Sequence, residues 1–361
     1  MNILERQQKY LKLQPYSLAR EEKRRQLTEY MNEITRYHFK NCPEYARMLT
    51  GLNFSPQKNY ELEELPFLPV SLFKAFDLRS VPQEKIIKVM KSSGTSGQSV
   101  SKIFLDSTNS RAQMRCLSNI VMSFIGGKRQ PLIIIDTEIV KKDPRLYSAR
   151  GAGIIGFSIF GRDIFFALDK DMNLRTEELK DFVAAHQDSK IILFGYTYIV
   201  WQFFQQALKA QKISLNIADG DLFHIGGWKK LQAASVSVEN FQQGLQEVCG
   251  NIRVRDYYGM VEQLGSVFVE CEHGHKHCSI FSDIITRRAK DFSPCEFGEV
   301  GIIELMSVLP SSYPGHIILT EDEGRILGED DCPCGRKGKY FEILGRIEQA
   351  EVRGCSDTYG Q

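Results

Sequence analysis

The chain has 361 residues, of which 42% are hydrophobic and 25% charged, which is typical of a globular protein with room for about two domains. Its 46 basic and 45 acidic residues give a net charge of +1, so no overall field favours nucleic acid or an anionic membrane as partner. The charged N-terminus and the lack of an apolar run of about eighteen residues predict a cytoplasmic protein without a membrane span.

The N-terminal part, to about residue 90, is predicted to be mainly helical. Four side chains there follow the i, i+4, i+7, i+11 spacing of one face of an amphipathic helix: Leu27, Met31, Ile34 and His38. Pro66 and Pro69 then interrupt the chain before a short stretch from Leu72 to Phe76 resumes it.

A polar loop follows, between two apolar stretches, 86–90 and 103–105, which we expect to be buried strands. The loop holds two glycines and four hydroxyl residues among its seven positions, which are Ser92, Ser93, Gly94, Thr95, Ser96, Gly97 and Gln98. Glycines let successive backbone amides approach an anion, and hydroxyls add donors, so the loop suits nucleotide phosphates. Its spacing is not that of a Walker A loop. The heptad alone leaves a plain surface loop as the alternative.

Strand, turn and helix alternate in the middle of the chain, with compact apolar runs at 132–135, 191–194 and 252–254 and a helical pattern at 199–208. This alternation predicts an α/β fold with mainly parallel sheets flanked by helices. Ligands in such folds bind beyond the carboxyl ends of the strands. The distal part is predicted to be β-rich, with strands at 300–305 and 316–319.

Two clusters of soft ligands are predicted to bind a structural zinc ion. One runs from Cys271 to Cys278 and includes three histidines, and the other is a Cys-Pro-Cys. The preferred ligand set is Cys271, His277, Cys332 and Cys334. His275 or Cys278 could replace His277, and reduced cysteines without a metal are the alternative.

Five segments resemble, in the same order, the motifs of the adenylate-forming superfamily, in the branch that contains phenylacetate–CoA ligases. They are the Ser/Gly-rich loop, HIGGWKKL (224–231), YYGMVE (257–262), LTEDEGR (319–325) and Gly345-Arg346. Further segments resemble the acyl-protein synthetases of LuxE type: FLPVSLFK (67–74), LFGYT (193–197) and VRGCS (352–356). This second resemblance spans nearly the whole chain.

The resemblance implies a reaction with ATP and Mg²⁺ in which a carboxylate attacks the α-phosphate, and a thiol then displaces AMP from the acyl adenylate. It implies that the loop holds the phosphates, that Glu262 binds Mg²⁺ and that Asp322 binds the ribose with help from Arg346. Glu321 and Glu323 flank Asp322, so the register of that motif stays open. Further nucleotide contacts are implied for the segments around adenine: Gly226, Gly227, Tyr257, Tyr258 and Gly259. The acid is expected beside Gly195, Tyr196 and Thr197.

Full-length members of the superfamily carry a C-terminal subdomain with a catalytic lysine, whereas only residues 347–361 follow Arg346 here. We therefore expect one adenylate-forming domain over residues 1–344 and a truncated tail over residues 345–361. Another basic residue would take the role of that lysine, with Lys74, Lys102 and Lys229 as candidates.

The tail carries Cys355, which Gly354 makes flexible and Arg353 could activate by lowering the thiol pKa. We expect Cys355 to accept the acyl group, and residues 356–361 to be mobile. An exposed cysteine without a role is the alternative.

The expected function is that of an acyl-protein synthetase that loads a fatty acid onto Cys355 and delivers it to a reductase or acyltransferase partner. It could form homo-oligomers. An acyl- or aryl-CoA ligase and a non-catalytic nucleotide-binding subunit are the alternatives. ATP–pyrophosphate exchange that depends on a carboxylic acid would exclude the subunit, and AMP release that requires CoA would favour the CoA ligase.

Overall fold

The computed structural model describes residues 3–92, 100–141, 149–228 and 235–347. The chain divides into two compact units, each built from segments that are distant in sequence. Unit 1 comprises Met1–Ser92, Gln98–Ile120 and Gly259–Glu351, and unit 2 comprises Ser93–Gly97, Val121–Tyr258 and Val352–Gln361. The predicted division at residue 344 stays a prediction.

The α-helices of the described residues are α1 Ile3–Tyr10, α2 Arg20–Asn41, α3 Pro43–Gly51, α4 Leu72–Ala75, α5 Ser107–Ile125, α6 Ala149–Ser158, α7 Thr176–Ala185, α8 Thr197–Ile199, α9 Gln206–Ala210 and α10 Val238–Cys249. A π-helical turn, Val200–Gln205, joins α8 to α9. Short 3₁₀ turns lie at Leu62–Glu64, Gln83–Lys85, Glu138–Lys141 and Val261–Gln263. Within the described ranges, every helix is too short or too polar to span a bilayer.

The strands are β1 Leu68–Pro69, β2 Ile86–Lys91, β3 Lys102–Asp106, β4 Gln130–Thr137, β5 Gly161–Leu168, β6 Ile191–Tyr196, β7 Ile217–Ile225, β8 Gly250–Tyr258, β9 Phe268–Val269, β10 Lys276–His277, β11 Ser282–Arg287, β12 Gly301–Ser307, β13 Ile317–Glu329 and β14 Lys339–Arg346.

The sheet of unit 2 is parallel, and its strands lie in the order β5-β4-β6-β7-β8. Helices cover such a sheet, so its central strands are buried along their length and appear in the sequence as continuous apolar runs. Strand β6 is buried at every position. The predicted α/β fold with a parallel sheet is confirmed here, and the strand ends bring residues of several predicted motifs to one edge.

The main sheet of unit 1 is antiparallel, in the order β10-β14-β13-β12-β11, with β1 added in parallel beside β13. It is the β-rich distal part that the sequence predicts. The amphipathic face of α2 is fully buried, and Tyr30 on that helix donates a hydrogen bond to the Val308 carbonyl at 2.9 Å. The N-terminal helices therefore pack on this sheet, because their apolar stripe needs a partner surface.

The hairpin β2–β3 corrects one prediction. We expected both strands beside the polar loop to be buried, but only β3 is. In β2, Ile87 is 63% exposed and Val89 is 42% exposed. The two strands form a separate two-stranded sheet, and among the described residues no further strand pairs with β2.

Two buried histidines stack inside unit 1, with ring centroids of His38 and His316 at 4.8 Å. His38 Nδ1 hydrogen bonds with Ser80 Oγ at 2.6 Å, and His316 Nε2 hydrogen bonds with Thr35 Oγ1 at 2.9 Å. Burial lowers the pKa of His38 to about 3 and holds the pKa of His316 well below its ordinary value. Both rings are therefore neutral in the folded protein.

We expect this pair to make the protein acid-sensitive. Because the folded pKa values lie below the unfolded value of about 6.5, the unfolded state binds protons first. The stability that neutral His38 contributes is complete above about pH 6.5 and is lost as the pH falls toward about 3, at about 1.4 kcal/mol per pH unit, and His316 acts in the same direction. Urea midpoints across this window should fall more steeply for the wild type than for His38→Gln. Equal slopes would contradict the assignment.

Candidate active site and metal centre

The base of the predicted phosphate loop is closed by a pair of serines. The Ser92 amide donates to the Ser101 carbonyl at 3.1 Å, and the Ser101 amide donates to Ser92 Oγ at 2.9 Å. Ser92 therefore connects the two ends of the loop through hydrogen bonds at the end of the β2–β3 hairpin. Residues Ser93–Gly97, which the sequence predicts to hold phosphates, lie outside the described residues.

A buried carboxylate lies at this base. Glu262 is 5% exposed and sits in a 3₁₀ turn, where its backbone carbonyl accepts a hydrogen bond from Tyr313 Oη at 2.8 Å. Burial raises the pKa of Glu262, and the nearby Ser101 hydroxyl and the charge of Arg346 work in the opposite direction. The hard oxygens of such a carboxylate are of the kind that Mg²⁺ prefers.

The ribose motif and the hinge motif meet across two strands. Asp322 on β13 is directly opposite Arg346 on β14, and Arg346 Nε lies 3.5 Å from Asp322 Oδ1. Arg346 Nη1 also lies 3.7 Å from Glu321 Oε2. The guanidinium of Arg346 thus faces two neighbouring carboxylates, those of Glu321 and Asp322.

Gly226 opens the predicted adenine-side loop after β7. Its φ is +79°, a left-handed conformation that favours glycine, so the chain turns sharply at this point. Gly227 follows it and is exposed. The turn carries these two glycines beyond the carboxyl end of β7, where ligands of parallel sheets bind.

The two tyrosines at the end of β8 have different surroundings because side chains alternate along a strand. The Tyr257 ring is buried, with centroids 5.6 Å from Phe157 and 6.5 Å from Phe194. Tyr258 is only partly buried. The Tyr257 side chain therefore belongs to the aromatic core, and Tyr258 is the ring of this pair that can face a ligand.

The segment predicted to lie beside the acid, 195–197, also packs in the core of unit 2. A Cβ at Gly195 would come within 2.6 Å of the Val200 side chain, so this position has no room for a larger residue. Tyr196 is buried and donates from its hydroxyl to the Arg150 carbonyl at 3.1 Å. Thr197 makes the polar contact at the strand end, with Oγ1 at 2.9 Å from His224 Nδ1.

The preferred zinc ligands come together in unit 1 although the two clusters are distant in sequence. One ligand atom from each of four residues lies within 4.8 Å of all the others: Cys271, His277, Cys332 and Cys334. The Cys271 and Cys332 sulfurs are 3.9 Å apart, and the Cys334 sulfur is 3.3 Å from His277 Nε2. Tetrahedral zinc with Zn–S near about 2.3 Å and Zn–N near about 2.0 Å requires about 3.8 Å and about 3.5 Å for these distances.

The alternative ligands occupy other places. His275 Nδ1 hydrogen bonds with Cys332 Sγ at 3.3 Å, from the edge of the cluster. Cys278 is fully buried, and its sulfur is not among the clustered ligand atoms.

Burial raises the pKa of Cys332 to about 12. Burial also acts on Cys334, but hydrogen bonds with Arg336 outweigh it and lower the pKa of that thiol. Metal binding here would displace protons from thiols.

Two of the three candidate lysines lie within the described residues. Lys102 pairs with Asp77 at 3.2 Å near the surface, and Lys74 is partly buried on α4. Lys229 and Cys355 lie outside the described residues.

Three polar residues have no role in the sequence-based prediction: Ser101 near Glu262 in unit 1, and His224 and Asp256 at the edge of the unit 2 sheet. Ser101 follows the loop by three residues, His224 begins HIGGWKKL and Asp256 precedes YYGMVE. Position beside a motif was their signal in the sequence, whereas the contact between His224 and Asp256 depends on the pairing of β7 with β8.

The fold matches that of solved adenylate-forming enzymes. A 2-hydroxyisobutyryl-CoA ligase, determined in complex with 2-HIB-AMP and CoA, superposes with a TM-score of 0.71 at 16% identity, covering 94% of this chain and 78% of that one. The same ligase in its postadenylation state gives a TM-score of 0.68. The protein therefore has the fold of the adenylate-forming ligases.

The sequence profile described as "Acyl-protein synthetase, LuxE" matches residues 3–361, and the chain belongs to this family. Two relatives are long-chain-fatty-acid–luciferin-component ligases. The one from Aliivibrio fischeri is 24% identical over 95% of this chain and 90% of its own length, and the one from Vibrio harveyi is 24% identical over 96% and 90%. The protein is accordingly an acid–thiol ligase that forms an acyl adenylate with ATP and then transfers the acyl group. Both resemblances seen in the sequence are confirmed.

Proposed function

We propose that this enzyme adenylates a fatty acid, transfers the acyl group to its own Cys355 and delivers it from there to a reductase or acyltransferase partner. The observation that carries the proposal is the position of Glu262 at the base of the loop, in the same unit as Asp322 and Arg346. Cys355 follows in the segment directly beyond Arg346. The printed names of the two relatives favour a long-chain fatty acid as substrate.

Adenylation needs the carboxylate and the α-phosphate held together and their negative charge neutralised. We assign Glu262 to Mg²⁺, Asp322 and Arg346 to the ribose side, and Ser93–Gly97 to the phosphates. Bound Mg²⁺ would supply charge neutralisation at the phosphates. The nearby Ser101 hydroxyl favours the ionised form of the Glu262 carboxylate, which a cation requires.

The acid is assigned to the carboxyl edge of the unit 2 sheet, beside Thr197. An aromatic wall lies close by, since Trp201 stacks on Phe241 with centroids at 5.5 Å, and Trp228 meets the same ring edge-on at 6.0 Å. Both tryptophans of the chain belong to this wall. Aromatic side chains offer the apolar surface that an acyl chain needs.

The four-residue cluster is assigned to a structural zinc ion. Its ligand types and spacing suit tetrahedral zinc, and four protein ligands leave no open position for catalysis. The site would join the turn before β10 to the loop between β13 and β14, and β14 carries Arg346. Reduced, metal-binding thiols also favour the cytoplasm as the location of the protein.

Intact mass measurement tests the proposed function. After incubation with ATP, Mg²⁺ and a panel of fatty acids, the protein should gain one acyl group per chain, and hydroxylamine should remove it as expected of a thioester. AMP release without CoA should accompany the gain. An enzyme that releases AMP only when CoA is added would be an acyl-CoA ligase instead, and one without acid-dependent ATP–pyrophosphate exchange would be a nucleotide-binding subunit.

The Glu262→Gln variant is expected to lose about 10²- to 10³-fold in acid-dependent ATP–pyrophosphate exchange, because glutamine keeps the shape but not the charge that binds Mg²⁺. The matched control is Glu84→Gln, which neutralises an exposed carboxylate of the same unit. Raising the Mg²⁺ concentration should restore part of the lost rate. Exchange within a few-fold of the wild type would remove Glu262 from the mechanism.

A further inference from the structure

Three neighbouring strands of unit 2 bring polar side chains to one point. Thr197 directly follows β6, His224 is the penultimate residue of β7, and Asp256 lies near the end of β8. His224 is in register with Gly195 on one side and with Asp256 on the other. His224 Nδ1 lies 2.9 Å from Thr197 Oγ1 and 3.7 Å from Asp256 Oδ1. The imidazole is thus oriented from both neighbouring strands.

The arrangement favours one tautomer of His224. A hydroxyl oxygen and a carboxylate next to Nδ1 favour a proton on that nitrogen, and the basic lone pair then resides on Nε2. The negative charge of Asp256 would also stabilise the imidazolium that forms when Nε2 takes up a second proton. The ring is held in place by Phe241, with centroids at 4.8 Å.

The position of His224 links it to the reacting groups. It precedes Gly226 by two residues, Asp256 directly precedes Tyr257-Tyr258, and Thr197 belongs to the segment assigned to the acid. His224 and Asp256 lie on strands that end at the ligand-binding edge of a parallel sheet, and Thr197 directly follows such a strand. The side chain of His224 is 10% exposed, so it is screened from bulk water.

The second half-reaction, transfer of the acyl group to a thiol, needs a base. The adenylation step does not need one, because its nucleophile is already a carboxylate. A thiol is a poor nucleophile until it loses its proton, and Cys355 must attack an acyl adenylate. We propose that His224 is this catalytic base and that Thr197 and Asp256 are its positioning residues, an inference that rests on the proposed self-acylation. Nε2 accepts the thiol proton while sulfur bonds to the acyl carbon. The bond from that carbon to the phosphate oxygen breaks, and AMP leaves with the electron pair.

The test compares the two half-reactions in the full-length enzyme. His224→Asn keeps an amide near the Nδ1 position but lacks Nε2. We expect the ratio of acyl-protein formation to acid-dependent ATP–pyrophosphate exchange to fall about 10²- to 10⁴-fold. His186→Asn is the matched control, because His186 also pairs with an aspartate, Asp163, at 3.3 Å, and that pair is formed elsewhere in the same unit. Its ratio should equal that of the wild type.

Asp256→Asn provides a second variant, since the Asp256 side chain is 37% exposed and its replacement disturbs the core little. The same ratio should fall about 10-fold, because the imidazolium loses a stabilising charge. Imidazole added to His224→Ala should restore acyl transfer in part. Equal loss of both half-reactions, or an unchanged ratio in both variants, would overturn the assignment. Failure of the proposed function is distinct, because the wild type itself would then gain no acyl group.

Discussion

The Cys355→Ser variant is expected to gain no acyl group under conditions that fully acylate the wild type. A serine hydroxyl has a far higher pKa than a thiol and is a weaker nucleophile, so substitution removes the acceptor while changing one atom. Acid-dependent ATP–pyrophosphate exchange, measured on the same sample, shows that the first half-reaction proceeds. Intact mass and peptide mapping of the thioester measure the outcome.

The control for this experiment is a second accessible cysteine. Among the cysteines of the described residues, all but Cys295 and Cys334 are buried, and Cys334 belongs to the metal cluster. Cys295 is therefore the accessible competitor, and Cys295→Ser should acylate like the wild type. An acyl group that persists in Cys355→Ser, on Cys295 or elsewhere, would show that the tail cysteine is not the acceptor.

Removal of zinc is expected to have the second large effect. Binding of zinc to sites of this kind in small peptides is worth about 10–16 kcal/mol, and in those peptides it drives folding. The cluster here joins two loops of the antiparallel sheet, so its loss should destabilise unit 1. We predict one zinc per chain by elemental analysis, and a large fall in the thermal midpoint when a strong chelator removes it.

Substitutions distinguish the effect of losing the zinc ion from the effect of losing a cysteine side chain. Cys332→Ser should lose the bound zinc and show the low thermal midpoint without a chelator. The control is Cys278→Ala, which changes a buried cysteine near the cluster but outside its ligand set. It should keep one zinc per chain. A purified wild type without zinc, whose midpoint does not respond to zinc or to a chelator, would show that the four residues do not form a metal site.

Local patterns in the sequence were sufficient for elements that are stabilised by burial alone. The apolar runs of β4 and β6 predicted the central strands, because a strand covered on both faces must be apolar throughout. The amphipathic spacing in α2 predicted its buried face. Strand β2 shows the limit, since its apolar residues suggest burial, but Ile87 and Val89 are exposed in the part of the chain that the structure describes.

By itself, the sequence determined the α/β class, the family and the order of its motifs, because these depend on residue type and on spacing along the chain. Only the tertiary structure decided which distant residues meet. Strand register placed His224 between Thr197 and Asp256, and the pleat sent Tyr257 into the core while leaving Tyr258 partly exposed. The physical reason is that strand register depends on contacts across the whole unit. The spacing of residues within one segment predicts the structure of that segment, but not which other strand it pairs with.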